Sequence, residues 1–286
     1  MIHTLLPEGY ASIAAFVGIL FAFLLTITTI SKLGNFLPRD AGRDFAHDGK
    51  LSAGKPRGAG IIFVLAFVVA AVLFIPFTAE NAIYLVLVII CMMTGFLDDA
   101  SKSPWGEYKK GFLDLCVAAL VAITFLHYNT SVVELAMFGV KFTMHPVVFA
   151  LLTVVLVWTA VNVTNCSDGV DGLSGTLTII SLMTIYIIDQ IKAVAGEFSF
   201  MILLFCVCIL GYLWYNATPS RLLMGDAGSR AMGLFISIAI LKTGCPFLYI
   251  PVSLVMILDG GLGLLKVSLI RFLKIHILNQ VRTPLH

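Results

Sequence analysis

The sequence predicts an all-α polytopic membrane protein on three observations: composition, the spacing of the apolar runs, and the placement of the cations. Of its 286 residues, 59% are apolar and only 12% charged, against about half and a quarter in a soluble domain. Mean hydropathy is +1.01. A water-facing fold of this size cannot hide that excess. A disordered chain and a secreted disulfide scaffold are excluded on the same ground. The net charge of +2 leaves no broad basic field for a polyanion, so no nucleic-acid partner is expected. The six cysteines form no C-x-x-C pair and fall mostly in apolar runs, where a thiol behaves as a small hydrophobe.

A helix needs about 20 apolar residues to cross the hydrocarbon core. The predicted spans are Tyr10 to Leu33, Gly60 to Phe77, Asn81 to Leu97, Gly111 to Tyr128, Pro146 to Val163, Leu173 to Ile188, Phe198 to Tyr215, Arg230 to Leu241 and Phe247 to Ile275. Between the fourth and fifth, Val132–Leu135 and Val140–Thr143 flank Phe138-Gly139 and predict a small periplasmic β-hairpin. The ninth run is longer than one span and contains Asp259-Gly260-Gly261-Leu262-Gly263, where a bend is expected. With the loop after the first span inside, 15 Lys/Arg lie on one side and only Lys141, Lys192 and Lys242 on the other. Cations favour the cytoplasm, so the N-terminus is predicted outside. Residues 1–286 read as one integral membrane domain.

Three acidic clusters stand at cytoplasmic ends of different spans. The first is Gly95-Phe96-Leu97-Asp98-Asp99-Ala100-Ser101-Lys102, followed by Lys109 and Lys110. Adjacent carboxylates repel, and a hard divalent cation or a lysine relieves that. The second is Asn162-Val163-Thr164-Asn165-Cys166-Ser167-Asp168-Gly169-Val170-Asp171-Gly172. Its amides and carboxylates are costly beside a span unless they bind something. The third is Met224-Gly225-Asp226-Ala227-Gly228-Ser229-Arg230, a glycine-rich turn entering a helix, where backbone N–H groups face an anion. Each alone also fits a solvated helix end, a capped terminus or a common turn. Together they predict one cleft for a metal and a phosphorylated substrate.

G-F-L-D-D-x-x-K, N-x-x-N-x-x-D-G-x-D-G and M-G-D-x-G-S in this order resemble the polyprenyl-phosphate N-acetylhexosamine-1-phosphate transferase superfamily. The closing Arg282-Thr283-Pro284-Leu285-His286 is similar to the start of a histidine motif in its phospho-N-acetylmuramoyl-pentapeptide transferase branch. The resemblance covers Gly54 to His286. It implies Mg²⁺-dependent transfer of phospho-MurNAc-pentapeptide from UDP-MurNAc-pentapeptide to undecaprenyl phosphate in the bacterial cell membrane, giving lipid I and UMP for peptidoglycan. It also implies a homodimer and ten helices, of which nine are seen and the last is expected beyond His286.

By resemblance, Asp98 and Asp99 match the catalytic aspartate pair and Asp226 the metal ligand. His286 matches a catalytic histidine. Lys102 and Lys110 face phosphate. Asn165 and Asp168 lie near the sugar phosphate, and Gly169 and Asp171 contact uracil. Asn216, Gly225 and Ser229 line the substrate cleft. The chain departs from the family at Lys55 and Arg57, where threonines are usual, at Asp114, where glutamine is common, at Lys266, also a family glutamine, and at Leu223, where an aromatic often stands. The competing readings are a sister enzyme that transfers N-acetylglucosamine-1-phosphate and, from another class, a nucleotide-sugar transporter. Transporters place binding groups at mid-membrane and show repeated halves, and this sequence shows neither.

Overall fold

The structure is a computed structural model that describes residues 11–40, 52–101, 103, 105–136, 138–192, 196 and 198–269. Lys102 and His286, two predicted site residues, lie outside these. The helices are α1 (Ala11–Leu33), α2 (Gly60–Phe74), α3 (Ala79–Asp99), α4 (Glu107–Tyr128), α5 (Pro146–Cys166), α6 (Leu173–Lys192), α7 (Phe198–Asn216), α8 (Gly225–Lys242), α9 (Tyr249–Val252) and α10 (Leu254–Ser268). Strands β1 (Val132–Leu135) and β2 (Val140–Thr143) pair antiparallel, Val132 opposite Thr143, on the predicted hairpin residues.

Helix α8 is the hub. Every residue from Gly225 to Leu241 is buried. Helices α3 and α5 pack most extensively on it, with α2 and α6 also against it. Glycines set these approaches. A Cβ at Gly60 would lie 2.0 Å from the Gly228 nitrogen, at Gly95 2.4 Å from the Asp226 carbonyl oxygen, and at Gly233 2.4 Å from that of Ala160. Backbone meets backbone at these three points, so no side chain has room. Large apolar side chains face outward instead, among them Phe16, Ile123, Leu151 and Trp214, as a lipid-facing surface requires.

Among the described residues, six helices are long and apolar enough to cross a membrane, or seven if one bent pair counts as a span. The nine-span expectation exceeds this for physical reasons. Helix α2 has only 15 residues, and α8 carries Asp226, Arg230 and Lys242. Helix α8 also begins at Gly225, not at Arg230, which puts the whole third motif in its first turns.

The ninth run is broken, but not at the predicted place. The 84° bend lies between Val252 and Leu254, just after Pro251, which has no N–H to donate. Helix α10 continues straight through Asp259-Gly260-Gly261. Gly260 serves close packing there, since a Cβ would sit 2.1 Å from the Val163 carbonyl oxygen on α5.

Candidate active site

The site forms where the C-terminal ends of α3 and α5 meet the N-terminal ends of α4 and α8. Three backbone segments brace it. Arg57 N–H donates to Pro38 O at 2.8 Å, Leu223 N–H to Pro56 O at 2.8 Å, and Ala59 and Gly60 N–H to Leu223 O and Met224 O at 3.0 Å each. This ladder fixes residues 54–60 over the entry to α8.

Asp98 and Asp99 occupy the last turn of α3 and face different partners. Asp98 Oδ1 accepts from Trp105 N–H at 2.7 Å, and its Oδ2 lies 2.5 Å from Lys110 Nζ. Asp99 points at the start of α8, where its Oδ2 accepts from Ala227 N–H at 3.2 Å. The anion at this helix N-terminus is therefore a side chain of the protein. Gly225 makes room for it: its φ is +67°, and a Cβ there would lie 2.2 Å from Asp99 Oδ2.

Asp226 sits between two cations. Its Oδ1 is 3.3 Å from Arg57 Nη2, and its Oδ2 is 3.5 Å from Lys110 Nζ. Arg57 Nη2 also lies 2.9 Å from Asp99 Oδ1, while Arg57 Nη1 holds Asp40 Oδ1 at 3.2 Å. Burial alone would lower the Arg57 pKa, but Asp99, then Asp226, Asp40 and Asp168, outweigh it and raise the value. A raised cation keeps its stabilising charge through the whole range below its unfolded pKa, so Arg57 is charged at every working pH.

The second motif surrounds this centre. Asn165 Oδ1 accepts from Ser229 Oγ–H at 2.8 Å. Asp168 lies close enough for its charge to act on Arg57. Asp171 Oδ2 accepts from Ser220 N–H at 3.0 Å and faces Lys55 Nζ at 3.8 Å. Asn216 Oδ1 accepts from Gly172 N–H at 2.8 Å, and its amide donates to Leu222 O at 2.9 Å. Gly169 is exposed in the turn between α5 and α6. Asn162 turns elsewhere, to Asp114 Oδ2 at 3.4 Å.

The donor chemistry suits a hard divalent cation, which prefers carboxylate oxygen. Asp99 Oδ1 is buried without a hydrogen bond, its approach to Arg57 being a charge contact of poor hydrogen-bond geometry. An oxygen held by charge contact alone, with no hydrogen bond to break, suits a metal ligand. Among the described residues no three carboxylate, histidine or cysteine side chains already converge as a cation cage; the oxygens of Asp98, Asp99 and Asp226 face Arg57, Lys110 and backbone N–H groups instead.

The profile of glycosyl transferase family 4 matches residues 81–244, which hold all three motifs. The phospho-N-acetylmuramoyl-pentapeptide-transferase of Treponema pallidum (strain Nichols) is 39% identical over 282 residues, spanning 92% of this chain and 78% of that protein. The chain belongs to the phospho-N-acetylmuramoyl-pentapeptide-transferase branch of glycosyl transferase family 4. The like-named protein of Thermotoga neapolitana is 28% identical over 274 residues, covering 94% of this chain and 85% of that one. That of a Nitratiruptor species is 24% identical over 312 residues, covering 97% and 86%.

Three features of this transferase were not placed at the acidic centre by the sequence. Asp40 has no motif around it, and only the fold brings it to Arg57. Arg57 and Lys55 are visible only as departures from the family pattern. Arg230 pairs with Asp114 inside the protein, and the signal was an unmatched aspartate and arginine in two apolar helices.

Proposed function

We propose that the chain transfers phospho-MurNAc-pentapeptide from UDP-MurNAc-pentapeptide to undecaprenyl phosphate, giving lipid I and UMP for peptidoglycan. The observation that carries this reading is the gathering of Asp98, Asp99 and Asp226 beneath Arg57 and Lys110. Carboxylates below and cations above suit a diphosphate delivered with a divalent ion. Asp226 and Asp99 would hold Mg²⁺, which when bound neutralises the diphosphate and the departing UMP.

The acceptor lipid phosphate has a second pKa of about 6 and is mostly ionised at neutral pH. Asp98 therefore has little proton to remove. Its contact with Lys110 instead holds that ammonium at the mouth, where it orients a phosphate. Asp171, oriented by the Ser220 N–H, accepts from the uracil N–H in this reading, with Gly169 beside it. Asn165, Asp168, Asn216 and Ser229 line the cleft between uracil and diphosphate, and Gly225 keeps Asp99 against α8. Lys102 and His286 complete the set by family resemblance. The 15-to-3 cation asymmetry supports a cytoplasmic site with the N-terminus outside, and the family's homodimer belongs to the same reading.

The test is UMP release from UDP-MurNAc-pentapeptide with undecaprenyl phosphate, with and without Mg²⁺. We expect Mg²⁺-dependent release and at least a hundredfold loss in Asp226→Asn. Release from UDP-N-acetylglucosamine alone would assign the sister reaction. Label entering vesicles without UMP would mark a transporter. Undiminished turnover in Asp226→Asn would remove the metal assignment.

A further inference from the structure

Arg57 stands on the open side of three buried carboxylates. The Asp99 side chain is 0% exposed and that of Asp40 1%, against 25% for Arg57. Its two terminal nitrogens do different things. Nη2 lies on Asp99 Oδ1 and Asp226 Oδ1, while Nη1 lies on Asp40 Oδ1. A divalent cation at this site needs the first two oxygens, because carboxylates are its preferred ligands. It does not need Asp40. The guanidinium and the metal thus compete for the same two atoms, and a third carboxylate tethers the displaced arginine.

We propose that Arg57 is a built-in counter-ion of the ligand-free site: a divalent cation displaces its Nη2 from Asp99 and Asp226, and the freed guanidinium, pivoting on Asp40, binds the diphosphate of the nucleotide substrate. This rests on the transferase reading above. The exchange relieves an excess of negative charge. Four carboxylates, Asp40, Asp98, Asp99 and Asp226, face only two protein cations, Arg57 and Lys110, before binding. Afterwards the divalent ion takes the carboxylates, and the released cation meets an incoming anion. Arginine suits the second role, since its planar fork matches phosphate oxygens in pairs. A threonine at this position has no charge with which to do either.

The experiment measures Mn²⁺ binding to the full chain in detergent, without substrate, by electron paramagnetic resonance. Arg57→Gln should bind Mn²⁺ roughly tenfold tighter than wild type, because the competing charge is gone. At saturating Mn²⁺ it should bind UDP about tenfold more weakly. Arg57→Lys should fall between on both measurements. Should Arg57→Gln fail to fold, wild-type protein answers alone. Modification of Arg57 by phenylglyoxal, read by mass spectrometry, should speed up with Mn²⁺ and slow again when UDP is added. Mn²⁺ affinity equal to or below wild type in a folded Arg57→Gln, or a modification rate indifferent to Mn²⁺, would overturn the proposal. Neither outcome depends on turnover. If wild type releases no UMP from UDP-MurNAc-pentapeptide, the transferase reading fails and the Mn²⁺ competition is still measured.

Discussion

Asp99 and Asp98 are neighbours in sequence, yet their carboxylates do unlike work. Asp99 is held by the first turn of α8 and Arg57, and Asp98 by Trp105 N–H and Lys110. Successive helix positions are about 100° apart, so two adjacent side chains must face different partners. Asp99→Asn keeps the shape but removes the charge that Arg57 and the α8 N-terminus share. We expect at least a hundredfold loss of UMP release, with the Asp98–Lys110 contact intact. Activity near wild type would show that the Asp99 charge is dispensable. The doublet was legible in the sequence as a candidate site. Which aspartate meets which partner was not, because that depends on the direction in which α8 enters.

Helices α4 and α8 are joined by two rungs of charge one turn apart. Lys110 meets Asp226, and four residues further on Asp114 meets Arg230 with the polarity reversed. The lower rung is buried: Asp114 is 4% exposed and Arg230 1%. Arg230 Nε and Nη1 make no hydrogen bond among the described residues. Breaking a buried pair leaves one uncompensated charge and costs about 3–5 kcal/mol. Asp114→Asn should lower the melting temperature in detergent accordingly. The double variant Asp114→Gln/Arg230→Leu should recover most of the loss, because it strands neither charge. Equal destabilisation by both variants would mean that the pair matters through packing, not charge. Spacing gave the helices themselves, whereas the rungs needed the tertiary arrangement that brings α4 alongside the start of α8.

The two ends of the molecule are built differently. The site end is an open cluster of carboxylates and cations. At the other end Glu134 of the hairpin takes Lys192 at 2.7 Å and Lys141 at 3.1 Å, while Glu134 N–H donates to Gly244 O at 2.9 Å. Lys242 closes on Glu80 at 3.0 Å beside it. Hydrogen bonds from Lys192 and then Lys141 hold the Glu134 carboxyl below its usual pKa of 4.5. A depressed carboxylate stabilises above its unfolded pKa and loses that contribution as pH falls through the folded value. The hairpin should therefore be insensitive to pH between 5 and 8 and loosen below about 4.5. Amide exchange over 132–143 reads this directly; protection that stays flat down to pH 3 would mean that the ion pairs do not hold it.

Hydropathy settled that the chain is a bundle of membrane helices with a hairpin after the fourth. Motif chemistry singled out three acidic clusters as one candidate site, because both signals are local: span length, alternation and side-chain type are written in neighbouring positions. The tertiary structure decided the rest. It put the break of the last helix at Ser253 and used Gly260 for packing. It made α8 the buried hub and brought Asp40 and Arg57 from a loop onto the acidic centre. Those outcomes follow from close backbone approaches and charge pairing between segments far apart in the chain, and no local pattern encodes them.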